Sequence, residues 1–106
     1  MGTADGQGRP HVVVVTFAVD GDMIYTAVDQ KPKSGSTLKR LHNVGENPMV
    51  TMLADHYSDD WETLWWVRAD GRAAQAQVAG APVQPVHRST VTASTGPGGG
   101  ACRYCQ

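Results

Sequence analysis

Long hydrophobic runs are missing from this sequence. No window approaches the roughly 18 consecutive apolar residues that a membrane span needs, and no basic stretch leads into an apolar segment near the first residue. These absences argue against a membrane protein and against a secretory signal peptide. We therefore expect a cytoplasmic protein.

A large excess of charge of one sign is also missing. The 106 residues carry 9 Lys and Arg against 10 Asp and Glu, which gives a formal net charge of −1. Proteins that bind nucleic acid usually present a strongly basic surface. DNA or RNA is therefore not an expected partner.

Acidic residues are absent beyond Asp70, and from residue 73 onward only Arg88 and Arg103 carry a formal charge. Gly, Pro, Ser, Thr, Ala and Gln dominate this stretch, and such a composition buries too little apolar surface to offset the entropy of ordering. We predict a folded domain over residues 1–78 and a disordered tail over residues 79–106. Because the folded part is small, we also expect it to dimerise.

Cysteine is scarce, with only Cys102 and Cys105 in a C-x-x-C spacing. This spacing suits a redox pair or half of a zinc site, but no second cysteine pair completes a zinc site. We assign the pair no function. The acidic residues between positions 55 and 62, together with His56, are interpreted as a solvated loop, so no metal site is predicted.

Strand and turn signals dominate the predicted domain. Three Asp-Gly pairs, which favour tight hairpin turns, separate extended segments. Residues 11–19 are mostly β-branched and predict a central strand with both faces covered, and residues 23–28 predict its hairpin partner.

Residues 34–44 repeat apolar side chains every three positions and predict one short helix. Further antiparallel strands are predicted at residues 49–54, 64–69 and 72–78, with a hairpin turn at Asp70-Gly71. The fold class is therefore mostly β (α+β), a small antiparallel barrel with one short helix.

The segment from residue 31 to residue 40 is the most informative for function. It holds four basic residues, three hydroxyl side chains and no acid. It lies at a predicted strand-to-helix junction, where outward-pointing backbone N–H groups bind anions. Lys31 and Lys33 are candidate phosphate ligands. Lys39 and Arg40 are assigned to the solvated face of the helix.

Aromatic side chains suggest where the rest of a ligand would lie. Tyr25 and Thr26 precede the basic segment on the predicted hairpin strand, so a ligand with its phosphate at Lys33 would run back along that strand. Trp65 and Trp66 must point to opposite faces of their strand, so one fills the core and the other covers a partner subunit or a planar ligand. No G-x-S-x-G motif or Ser-His-Asp arrangement indicates hydrolysis.

These motifs, in this order, resemble the pyridoxamine 5′-phosphate oxidase class of split β-barrel flavoproteins. The resemblance is carried by GRPHVVVVTF at residues 8–17, DGD followed by IYT at residues 20–26, and KPK at residues 31–33. The segments DHY, DW and LWWVRADGRA between residues 55 and 73 resemble an actinobacterial subgroup, the probable coenzyme F420-dependent oxidoreductases. The resemblance covers residues 3–74.

The resemblance implies an FMN-binding split β-barrel that forms a homodimer, with two cofactor sites at the subunit interface. It implies hydride transfer between coenzyme F420, or alternatively FMN, and an unsaturated small molecule, with the cofactor rather than a protein residue performing the chemistry. The implied cofactor-binding residues are Val13, Val14, Val15, Tyr25, Thr26, Lys31 and Lys33. The implied substrate or dimer-side pocket holds Trp65, Trp66 and Arg68.

The sequence departs from the family pattern at both ends. The usual N-terminal helix is not matched, and the expected last helix and strand are not matched after residue 74. The composition of the tail is typical of GC-rich coding sequence read in a shifted frame. The alternative hypothesis is therefore a truncated and inactive family member that serves as a cofactor-binding or dimerisation module.

Overall fold

The structure is a computed structural model that describes residues 1–28, 35–78, 81–95 and 102–105, and the side chains of residues 1–28, 39–77 and 82–94. In these residues one helix, α1, spans Gly35–Glu46, and a single 3₁₀ turn spans Trp61–Thr63. The strands are β1 Gly2–Ala4, β2 Pro10–Val12, β3 Phe17–Asp20, β4 Met23–Ala27, β5 Met49–His56, β6 Trp65–Ala73, β7 Ala76–Val78, β8 Ala81–Thr95 and β9 Cys102–Cys105.

The strands form one antiparallel sheet in the order β2-β1-β5-β6-β8-β4-β3, and β7 and β9 also pair with β8. This confirms the predicted mostly β fold with one short helix. Within the described part of the chain, no helix has the length and apolar character needed to cross a membrane.

The buried core joins the inner face of the sheet to α1. Its members are Met1, Ile24, Val44, Val50, Met52, Ala69, Ala73 and Val86. The helix is tied to the sheet by polar contacts as well. Asn43 Nδ2 donates to Thr3 Oγ1 at 3.1 Å, and Arg40 Nη2 donates to the carbonyl oxygen of Ala27 at 3.2 Å.

The burial of Arg40 corrects the prediction that both basic residues of α1 are solvated. Lys39 is exposed, whereas Arg40 is 4% exposed. The aliphatic part of an arginine packs in a core while its guanidinium reaches a backbone carbonyl, here the last one of β4. Burial lowers the pKa of Arg40 from its ordinary value.

The β-branched segment does not form the central strand predicted for residues 11–19. It divides into β2 and β3, with no strand over residues 13–16, and the two pieces lie at opposite edges of the sheet. Val12, Phe17 and Val19 are exposed, and Val14 is 100% exposed. The prediction is wrong because β propensity measures fit to a pleated surface and does not decide whether a strand lies at the centre or the edge. The hairpin of β3 and β4 across Gly21, which has a φ of 57°, is confirmed.

The Asp70-Gly71 pair is not the predicted hairpin turn. Strand β6 continues through both residues, and its pairing with β8 shifts register between them. A Cβ added at Gly71 would overlap the carbonyl oxygen of His87. Glycine is needed here because two backbones approach closely at a bulge, rather than because the chain reverses.

The structure also differs from the expected disordered tail over residues 79–106. Residues 81–95 form β8, which lies between β6 and β4, and β9 pairs with its second half. Six of the 15 residues of β8 are Val or Thr, a local β-forming signal that the average composition of the tail conceals. The expectation of disorder for residues 79–80, 96–101 and 106 lies outside the described residues.

Candidate functional site

An apolar cleft of about 860 Å³ opens on the inner face of the sheet. Residues 12–15, Phe17 and Val19 form one wall, contributed by the segment that runs between the two sheet edges. The floor is formed by side chains of the central strands, including Ile24, Met52, Ala69 and Val91. These four residues come from β4, β5, β6 and β8, so four strands of the sheet contribute to the cleft.

The wall of the cleft is unusually exposed for such apolar side chains. Val12 is 78% exposed and Val14 100% exposed, and Leu53, which also lines the cleft, is 64% exposed. Contiguous exposed apolar surface in a concave region marks a site that a ligand or a second protein covers. The cleft is therefore the candidate functional site.

Two charged side chains, Asp55 and Arg88, line the cleft among the described residues. Arg88 is held in place by Asp22, in the β3–β4 turn. Its Nη2 lies 2.8 Å from Asp22 Oδ1, and its backbone N–H donates to the Asp22 carbonyl oxygen at 3.0 Å. Across the described parts of the chain, no group of three or more His, Cys, Asp or Glu side chains could hold a metal ion.

The predicted ring-binding residues divide between the cleft and the sheet interior. Val13, Val14 and Val15 line the cleft. Tyr25 and Thr26 lie next to Ile24 on β4 but do not line it. Thr26 is fully buried, and its Oγ1 donates to the carbonyl oxygen of Gln84 at 3.4 Å. The predicted phosphate ligands Lys31 and Lys33 lie outside the described residues.

The predicted substrate or dimer-side residues lie beside the cleft rather than in it. Trp65, Trp66 and Arg68 do not line it, although Val67, between them, does. Trp65 stacks on His56 with ring centroids 6.0 Å apart and an interplanar angle of 18°. Arg68 Nε lies 3.4 Å from Asp70 Oδ2, an exposed ion pair on β6.

Several cleft residues were not identified from the sequence. Met52 and Ala54 lie on a predicted strand and share a face with Val50, but the apolar neighbours Met49 and Leu53 hide this alternation in the sequence. Phe17 and Val19 were assigned to a strand with both faces covered. Arg88 and Val91 fall in the segment whose composition predicted disorder, so no local signal placed them near a site.

The chemistry of the cleft lining suits the planar ring of a flavin-type cofactor. Its described lining is dominated by aliphatic side chains with few polar groups, as in cofactor pockets where polar contacts fix orientation and apolar contacts bury the ring. The described residues do not include the candidates for holding a phosphate.

The chain matches the family model described as pyridoxamine 5′-phosphate oxidase over residues 1–95. The match includes β8, so the expectation that the family resemblance ends at residue 74 is wrong. No curated protein matches the chain.

Proposed function

Because the chain belongs to the pyridoxamine 5′-phosphate oxidase family, we propose that it is an oxidoreductase that binds a flavin-type cofactor in the apolar cleft. Coenzyme F420 is the first choice of cofactor and FMN the second. The observation that carries the proposal is the position of Val13, Val14 and Val15, which the family resemblance assigns to the ring and which line the cleft. The preference for F420 is supported by the sequence between residues 55 and 73.

The side chains of the cleft would bind and orient the ring and exclude water from it. Residues 14–16 belong to no strand, so their peptide groups lie outside the sheet's hydrogen-bond ladder and suit the polar edge of a ring. Lys31 and Lys33 would hold the phosphate by charge-assisted hydrogen bonds. The bound cofactor would supply the hydride chemistry, which needs few protein acids or bases.

The proposal includes a homodimer whose second copy helps to close the cleft. Val14 and Leu53 leave apolar surface open to solvent in one chain, and covering such surface favours association. Light scattering at micromolar concentration tests this part of the proposal. A stable monomer that still binds cofactor would restrict the site to one chain.

The second candidate function is a cofactor-binding or dimerisation module without catalysis. It is favoured by the exposed apolar side chains of Val14 and Leu53, which a dimer contact would cover without any chemistry. Under this alternative the cofactor binds but does not exchange electrons with any unsaturated acceptor. Cofactor binding without turnover would select it.

Titration of the purified chain with coenzyme F420 and, separately, FMN tests the proposal, with quenching of cofactor fluorescence as the signal. We expect micromolar binding of F420 and weaker binding of FMN. Lys33→Ala should weaken binding by about 1–3 kcal/mol if Lys33 holds the phosphate. Lys39→Ala, which removes an exposed charge from α1, is the matched control. Failure of both cofactors to bind would contradict the proposed function.

A further inference from the structure

We propose that Arg88 makes the cleft selective for apolar substrates that carry a carboxylate. This inference rests on the proposed function, because it concerns the molecule that shares the cleft with the cofactor. It starts from the placement of charge in an otherwise apolar site. Among the described lining residues, Arg88 carries the one cationic side chain, and the α-amino group of Met1, also in the lining, donates to the Val13 carbonyl oxygen at 2.8 Å.

The two charged lining residues are well separated along the sheet. Arg88 on β8 pairs with Gly71 of β6, whereas Asp55 on β5 pairs with Trp66 of the same strand. The two positions on β6 are five residues apart, which corresponds to about 16 Å along the strand. An anionic group is therefore attracted to the Arg88 end and repelled from the Asp55 end, so the cleft favours one orientation of a charged ligand.

The guanidinium of Arg88 has N–H donors that its contact with Asp22 does not use. A guanidinium carries five N–H groups in a rigid fork, and the contact with Asp22 involves Nη2. The side chain is 27% exposed, so its remaining N–H groups lie in a partly dehydrated environment. Charge-assisted hydrogen bonds to a carboxylate are strong in such a setting.

The alternative role of Arg88 is to fasten the β3–β4 turn to β8. The turn is already attached by the backbone hydrogen bond from Arg88 to the Asp22 carbonyl oxygen. An ion pair whose aspartate is 56% exposed adds little stability of its own. If Arg88 only fastens the turn, its substitution should change the stability of the chain, and the cleft should show no preference between charged and neutral ligands.

The apolar wall determines the rest of the ligand. The side chains of Val13, Val15 and Phe17 offer surface to an aliphatic or aromatic body, and these side chains provide no partner for a second polar group. The predicted ligand is therefore a planar or elongated apolar molecule with one terminal carboxylate. Cinnamate is a suitable probe, and cinnamamide is its neutral counterpart of nearly the same shape.

Isothermal titration calorimetry of the full chain with cinnamate and with cinnamamide tests the inference. We expect the chain to bind cinnamate at least tenfold more tightly than cinnamamide. Arg88→Gln should remove this preference, and Arg88→Lys should retain part of it. Arg72→Gln, which removes the same charge from an exposed side chain of β6 that does not line the cleft, should leave the preference intact.

Equal affinities for the two probes, or a preference that persists in Arg88→Gln, would overturn the inference. If Arg88→Gln does not fold, the affinities of the unmodified chain are measured at increasing salt concentration instead. The affinity for cinnamate should fall as salt screens the charge, and the affinity for cinnamamide should not. Cofactor titration of the same samples separates the two proposals. Cofactor binding without a carboxylate preference contradicts the Arg88 inference alone, whereas a carboxylate preference without cofactor binding contradicts the proposed function alone.

Discussion

The strands within residues 10–20 are rich in apolar side chains that are exposed, whereas the strand over residues 81–95 has fewer apolar side chains and lies in the middle of the sheet. The first segment is rich in valine and lies at the two edges of the sheet, where Val14 is fully exposed. The second is rich in Thr, Ser, Pro and Ala and forms the central strand β8, where Val86 and Gln84 are fully buried. Burial here depends on the position of a strand in the sheet rather than on how many apolar residues the strand contains.

The contrast separates two uses of apolar side chains in this molecule. Those of β4, β5, β6 and β8 stabilise the fold, because the sheet and helix cover them. Those of residues 12–19 contribute little to the core and instead line the candidate site. Matched substitutions in the two segments therefore test both the fold and the site.

The largest effect is expected from the same substitution made on each side of this comparison. Val86→Asp places a charge where the side chain is fully buried and should lower the free energy of unfolding by about 4 kcal/mol. Val14→Asp should change it by no more than about 0.5 kcal/mol at a protein concentration low enough to keep the chain monomeric, because that side chain is fully exposed in one chain. Urea unfolding followed by circular dichroism measures both. Equal stabilities of the two variants would show that β8 is not part of the folded domain.

A second test concerns the bulge that joins β6 to β8. Gly71→Ala should destabilise the domain by about 3 kcal/mol, since the added Cβ would meet the backbone of His87 and force the two strands apart. Gly45→Ala is the control, because a Cβ there meets nothing within 4 Å and alanine favours a helix. We expect the control to unfold at the same temperature as the unmodified chain or slightly higher. A tolerated Gly71→Ala would contradict the observed pairing of β6 and β8.

The smallest effect is expected at the turn that leads into the exposed segment. Asp5 Oδ1 accepts hydrogen bonds from the backbone N–H groups of Gln7 and Arg9, both at 2.9 Å, and Asp5 Oδ2 accepts from Arg9 Nε. The backbone and then the side chain of Arg9 lower the pKa of Asp5 to about 2. The folded-state pKa is below the unfolded one, so this stabilisation is present above about pH 5 and is lost as the pH falls towards 2.

Asp5→Asn should therefore unfold at a lower temperature than the unmodified chain at pH 7, and the difference should shrink between pH 5 and pH 2. Thermal melts across this range measure it. Asp59→Asn, in the exposed loop after β5, controls for the loss of a charge. If the difference in unfolding temperature between Asp5→Asn and the unmodified chain does not change with pH, the Asp5 carboxylate is not its cause.

Local signals predicted the elements of the fold better than their arrangement. The Asp20-Gly21 turn predicted the hairpin of β3 and β4, and the three-residue spacing of Leu38, Leu41 and Val44 predicted α1. Asp70-Gly71 carried the same turn signal, yet it lies inside β6. A dipeptide that permits a turn also permits a bulge, and the partner strand, 16 or more residues away, decides between them.

The cleft residues in the segments that carried the family resemblance were predictable, whereas those of β8 were not, although the family match includes β8. Val13, Val14 and Val15 were identified by that resemblance and line the cleft. Arg88 and Val91 reach the cleft only because β8 inserts between β4 and β6. Such long-range pairing leaves no periodic signal in the residues themselves.

The central position of β8 also dictates an order of events during synthesis. Strands β4 and β6 have no shared neighbour until β8 is made, and the pairing of β6 with β8 is complete only when the chain reaches Thr95. At about 5–20 residues per second, the edge of β6 waits about 1–4 s for the 22 residues between Ala73 and Thr95. During that interval unpaired strand edges are open to other chains, so chaperone capacity and translation rate should influence the yield of soluble protein.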